Sequence, residues 1–125
     1  MKLNNLLIVL LLPVVVFGQY NETEPNDTFD QANGISLNDS AVIAASFEPV
    51  GDVDYFVMQL QENCMYYLTS IENDDNIAPN IALYREGNPT NILTSNVGGR
   101  NGNDNFRLSG YVPESTGRYF AKIFN

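Results

Sequence analysis

From residue 41 onward the chain alternates short apolar-rich runs with polar turns. The run "YFVMQL" (55–60) sets Phe56, Met58 and Leu60 on one face of an extended segment and Tyr55, Val57 and Gln59 on the other. "AVIAASF" (41–47), "MYYLTSI" (65–71), "NIALYR" (80–85), "NILTS" (91–95), "FRLSGYV" (106–112) and "RYFAKIF" (118–124) repeat the theme, most of them rich in β-branched or aromatic residues. Between them stand "GDVD" (51–54), "EGNP" (86–89), "NVGGRNGND" (96–104) and "PESTG" (113–117), turn-forming by composition. About seven short strands at hairpin-like spacing, with no sustained helical period, predict an all-β fold: an antiparallel β-sandwich, jelly-roll-like. "FDQANGI" (29–35) fits either one helical turn or a short lead-in strand.

The first eighteen residues break this pattern. "MKLNNLLIVLLLPVVVFG" has a positive start at Lys2, an apolar run from Leu6 to Phe17 too short for a bilayer, and small residues at Val16 and Gly18. This is the layout of a secretory signal peptide over 1–18, leaving one domain over 19–125 and an expected extracellular location. No other segment is long and apolar enough to span a membrane. Beyond Lys2 the basic residues are Arg85, Arg100, Arg107, Arg118 and Lys122, against fifteen acidic ones. That balance disfavours nucleic acid and anionic membranes and is compatible with divalent cations.

Candidate chemistry is narrow. With no histidine, neither a Ser-His-Asp nor a Cys-His arrangement is available, and the common zinc sites are excluded. Cys64 is the sole cysteine, so no intramolecular disulfide exists, and its place before a strand predicts a small buried hydrophobe. Paired carboxylates for glycoside hydrolysis are formally present, but a short sandwich leaves little room for a cleft. The chain is therefore expected to be non-catalytic.

The strip "NETEPNDTFDQAN" (21–33) carries four carboxylates and no basic residue. In an extended segment Glu22 and Glu24 share a face. Pro25 biases Glu24 away from helix, and Asn26 and Asp27 favour a turn that brings their oxygens to the same side. Asp52 and Asp54 in "GDVD" form a second acidic pair. Glu22, Glu24, Asn26, Asp27, Asp52 and Asp54 supply the oxygen donors that Ca²⁺ prefers, and suit Mg²⁺ less well. Two readings stand at this point: a solvated acidic surface, or two halves of one cation site. Asn21, Asn26 and Asn38 also open N-glycosylation sequons.

"ETEPNDT" (22–28), "GDVDYF" (51–56) and "GRYFAKI" (117–123), in that order, resemble the bacterial pre-peptidase C-terminal domain, whose pattern is E-x-E-P-N-D-T, then G-D-x-D-Y-F, then G-x-Y-x-x-x-[VI]. The resemblance spans essentially all of 19–125 and extends to the collagen-binding domains of bacterial collagenases. It implies a secreted, non-catalytic, jelly-roll-like sandwich that accompanies extracellular enzymes, often peptidases, for targeting, adhesion or maturation. It also implies Ca²⁺ held by Glu22, Glu24, Asn26 and Asp27 of the acidic segment and by Asp54, with Asp52 beside it in a shorter turn. Tyr55 and Phe56 would anchor the strand that follows. Partners on this reading are an extracellular matrix protein or a polysaccharide, with a peptidase domain in the parent protein. The family pattern continues with one more strand, so the resemblance implies a final strand missing here. The competing expectation is a carbohydrate- or protein-binding adhesion module without a metal site.

Overall fold

A computed structural model describes residues 18–37, 41–46, 49, 51–70, 78–97 and 105–125. Most of the leader (1–17), the segments 71–77 and 98–104, and the Asn38 sequon lie outside the described residues. Nine strands are formed among the described residues: β1 (Gly18–Asn21), β2 (Asn33–Ile35), β3 (Ala41–Ala44), β4 (Val53–Leu60), β5 (Tyr66–Thr69), β6 (Asn80–Arg85), β7 (Asn88–Asn96), β8 (Arg107–Tyr111) and β9 (Gly117–Phe124). One 3₁₀ turn, Phe29–Gln31, precedes β2. The chain is an all-β sandwich, as the alternation predicts, with nine strands rather than seven. The two additional ones are β1 and β2, so "FDQANGI" supplies both the helical turn and the lead-in strand.

One layer is a five-stranded sheet in the order β2-β4-β9-β6-β7. The alternation of β4 explains its inner face: Phe56, Met58 and Leu60 join Ile35, Ile81, Leu83, Tyr119 and Ala121. Phe106 and Leu108 close over them from the β8 side, with Tyr66, Leu68 and Ile43 packed alongside. The second layer is thus the antiparallel pair β5-β8, with β3 contributing at the β1-β3 pair. Burial of these side chains supplies the main stabilisation, roughly 1.5–3 kcal/mol for each fully buried Leu, Ile, Met or Phe relative to an exposed position.

The sandwich is not purely antiparallel. β1 pairs with β3 in parallel, and β2 pairs with β4 in parallel. In each pair the partners are joined through a long connection, 22–40 for β1 and β3 and 36–52 for β2 and β4, and connections of that length allow parallel neighbours. β9 lies in the middle of its sheet, paired to both β4 and β6, so the last strand has no open edge. The edges of that sheet are β2 and β7.

Turn chemistry sets the registers. Gly87, at φ 81°, sits in the two-residue connection that pairs Arg85 with Asn88. Gly110, at φ 74°, accompanies a register shift between β5 and β8. "GDVD" is only half a turn: Asp52 N–H donates to Pro49 O at 3.0 Å, and β4 has begun by Val53. Cys64 is exposed, contrary to the buried position expected of it. The chain turns through Asn63, at φ 62°, and β5 starts only at Tyr66, so Cys64 stays in the turn.

Candidate metal centre

The arm between β1 and β2 is held at both ends by its own sequence. Glu22 N–H donates to Ala44 O at 3.1 Å, extending the β1–β3 ladder by one bond. Asn33 clamps the other end, accepting from Thr23 N–H through Oδ1 at 2.5 Å and donating from Nδ2 to Thr23 O at 3.0 Å. Midway, Asn26 O accepts from Tyr55 N–H at 2.9 Å, tying the arm to the start of β4. The Glu24–Pro25 peptide is cis.

These bonds bring the two acidic clusters together. Glu22, Glu24 and Asp54 each offer a carboxylate oxygen, and the three atoms lie within 4.8 Å of one another. Asp54 is fully buried and Asp52 nearly so, whereas Glu24 is exposed, which leaves the cluster open to solvent on one side. Asp54 has the parity of Phe56 along β4 and so faces inward. The basic residue nearest in register, Lys122, pairs with Tyr55 instead, and its Nζ lies 5.9 Å and 5.1 Å from the ring centroids of Tyr55 and Phe124. It therefore sits on the opposite face of the sheet. The one ion pair among the described residues, Arg118–Glu86 at 2.6 Å, is remote from the cluster.

Uncompensated charge shows in the electrostatics. Burial, with Glu22, Asp52, Glu24 and Asp27 adding to it, pushes the Asp54 carboxyl up to about 7. Glu22 Oε2, Asp52 Oδ2 and Asp54 Oδ2 are buried without a hydrogen-bond donor among the described residues. Their sister oxygens are used: Glu22 Oε1 accepts from Ser46 N–H at 2.5 Å and from Ser46 Oγ at 3.2 Å, and Asp52 Oδ1 accepts from Val53 N–H at 3.0 Å. Buried polar atoms left without a partner are costly, and two of these, on Glu22 and Asp54, belong to the three-carboxylate cluster.

Asn26 completes the picture. It is fully buried. With its amide nitrogen turned inward it donates to Asp54 Oδ1 at 3.0 Å and Glu24 Oε2 at 3.3 Å. Half a turn of the amide replaces that donor with a further oxygen ligand. Its own N–H donates to Glu24 Oε2 at 3.0 Å. This burial also removes Asn26 as a glycan acceptor in the folded protein; Asn21 is exposed.

Of the six residues singled out from sequence, Glu22, Glu24 and Asp54 converge, and Asn26 touches two of them. Asp52 and Asp27 do not join the three-carboxylate cluster but lie near enough to act on Asp54. Two contributors escape the sequence reading. Ser46 fixes Glu22, and nothing in its local sequence marks it. Phe29 anchors the arm, with ring centroids 4.6 Å from Tyr55, 5.1 Å from Phe120 and 5.4 Å from Tyr84. Its signal is visible in hindsight: it is the one aromatic in the polar strip 21–33. Comparison with protein-family models finds no match, and comparison with curated proteins finds none either.

Proposed function

We propose that this chain is a secreted, non-catalytic sandwich module of the pre-peptidase C-terminal type. On this reading it is stabilised by Ca²⁺ and accompanies an extracellular enzyme, often a peptidase, in targeting, adhesion or maturation. The observation that carries the metal reading is the convergence of Glu22, Glu24 and Asp54, the first and last of which each keep a buried carboxylate oxygen without a donor, with no basic side chain in the cluster. An all-oxygen set of carboxylates and an amide, with no histidine and no thiol nearby, is the donor chemistry of a hard cation. Glu22, Glu24 and Asp54 would hold the ion, with the Asn26 amide oxygen beside them and Asp52 and Asp27 adding charge.

The ion would supply neutralisation and cross-linking rather than reaction chemistry. Each of the three motifs has a structural task consistent with the resemblance: "ETEPND" makes the arm, "GDVDYF" places Asp54 at the head of β4, and "GRYFAKI" runs through the central strand β9. The matrix or polysaccharide partner and the attached peptidase belong to the same proposal. Titration calorimetry on chelator-stripped protein tests it. Saturable heat with Ca²⁺, weaker with Mg²⁺ and lost in Asp54→Asn, is the expected result. Absence of heat with every divalent cation tried would remove the metal, and with it the basis for this reading.

A further inference from the structure

A second feature lies away from the acidic cluster. Where the β6–β7 hairpin faces the end of β8 and the loop before β9, the layers part into an open groove of about 400 Å³. Tyr119, almost fully buried, lines it from the core side, and its hydroxyl donates to Ser115 O at 2.7 Å, which fixes the 112–116 loop. Tyr111 stands beside it, half-buried, with ring centroids 6.2 Å apart at 68°. Arg85, Asn88, Asn91 and Glu114 surround the opening, all exposed, with Leu93 and Val112 as apolar margins.

We propose that this groove is a binding subsite for a neutral saccharide. Its volume falls within the range of about 300–1,000 Å³ typical of small-ligand sites. Hydroxyl groups both donate and accept, and the lining offers both: guanidinium and amide donors, carboxylate and amide acceptors, and a phenol that does either. A partly exposed tyrosine ring offers an apolar face for the C–H side of a sugar ring. Arg85 and Glu114 balance each other, so the site favours an uncharged ligand. The formal net charge of −9 repels acidic polysaccharides in addition. A peptide would add to the open edge of β7 through backbone hydrogen bonds, whereas the groove presents side chains, four of them charged or amide. Along β9, Tyr119 stands four residues from Ile123, the partner of Asp54, or about 13 Å. The groove would serve the polysaccharide partner proposed above, and it lies apart from the metal centre, so saccharide binding should not depend on the ion.

The experiment is calorimetric or NMR titration of the full chain with cellohexaose, xylohexaose, mannohexaose, laminarihexaose and chitohexaose, each in Ca²⁺ and in EDTA. The expected result is saturable binding of at least one of them with a dissociation constant of about 1 mM or tighter. That binding should persist in EDTA and weaken about tenfold in Asn91→Ala and in Arg85→Ala, each loss matching one hydrogen bond. Both side chains are exposed, and an unchanged melting midpoint confirms that the variants fold. No saturable binding across the panel overturns the proposal. So does binding that the two variants leave unchanged, or a groove that takes a collagen-type peptide instead.

Discussion

At the scale of single residues, Asp54 decides the behaviour of the arm. In an extended unfolded chain its carboxyl ionises near 3.8, and in the fold it holds its proton up to about 7. Between those values the unfolded state binds fewer protons than the folded one, so deprotonation favours unfolding. In chelator, therefore, the Asp54 contribution is most favourable below pH 4, declines as pH rises toward 7, and is flat above that. Melts across this range in EDTA and in Ca²⁺ check the sign, and Ca²⁺ should flatten the decline. Asp54→Asn keeps the shape and removes the charge. At pH 8 in EDTA it should melt above the parent by on the order of 2 kcal/mol, yet gain nothing when Ca²⁺ is added. A variant that is less stable in EDTA but still responds to Ca²⁺ contradicts this assignment. Cys64 offers a simpler check: its exposure predicts one thiol titrated rapidly in the native protein by a thiol reagent, and a slow reaction needing denaturant would return it to the core.

Among the elements, the arm is the informative one. Phe29 packs with Ala32, Val57 and Phe124 against Ala82, Tyr84 and Phe120, covering part of the sheet face opposite the main core. Phe29→Ala should cost about 2–3 kcal/mol, less than a fully enclosed phenylalanine because Phe29 is partly exposed. Hydrogen exchange should accelerate over 22–35 while β4, β6 and β9 remain protected; uniform acceleration would mean the arm is not a separate unit.

The strands themselves were readable because period-two alternation is a local property. "YFVMQL" alone groups Phe56, Met58 and Leu60 on one face, which the structure shows to be the core face, and Tyr66 packs against the core while its neighbour Tyr67 is 64% exposed. The candidate ligands were readable as residue types. Their meeting was not, because it depends on a backbone bond from Tyr55 to Asn26 across nearly thirty residues of sequence. The parallel pairings are hidden for the same reason, and Cys64 is exposed because a left-handed Asn63 holds it in a turn and β5 starts one residue later than expected, at Tyr66.

Across the whole molecule, the acidic cluster and the polar groove occupy different ends of the sandwich. The cluster sits where the arm passes from the β1–β3 pair to the head of β4, so an ion there would join the two layers. The groove draws on the far end of β6 and the start of β9. If both proposals hold, chelation should lower stability and leave saccharide binding unchanged.

The most direct measurement is the thermal midpoint of the full chain at pH 7.5 in excess EDTA and in Ca²⁺ at about a hundredfold over its dissociation constant. Binding to the folded state alone adds about 2.7 kcal/mol under that condition, a rise of roughly 10 °C for a domain of this size. A rise of that order, absent in Asp54→Asn, is the predicted result; identical midpoints in Ca²⁺ and EDTA would contradict it.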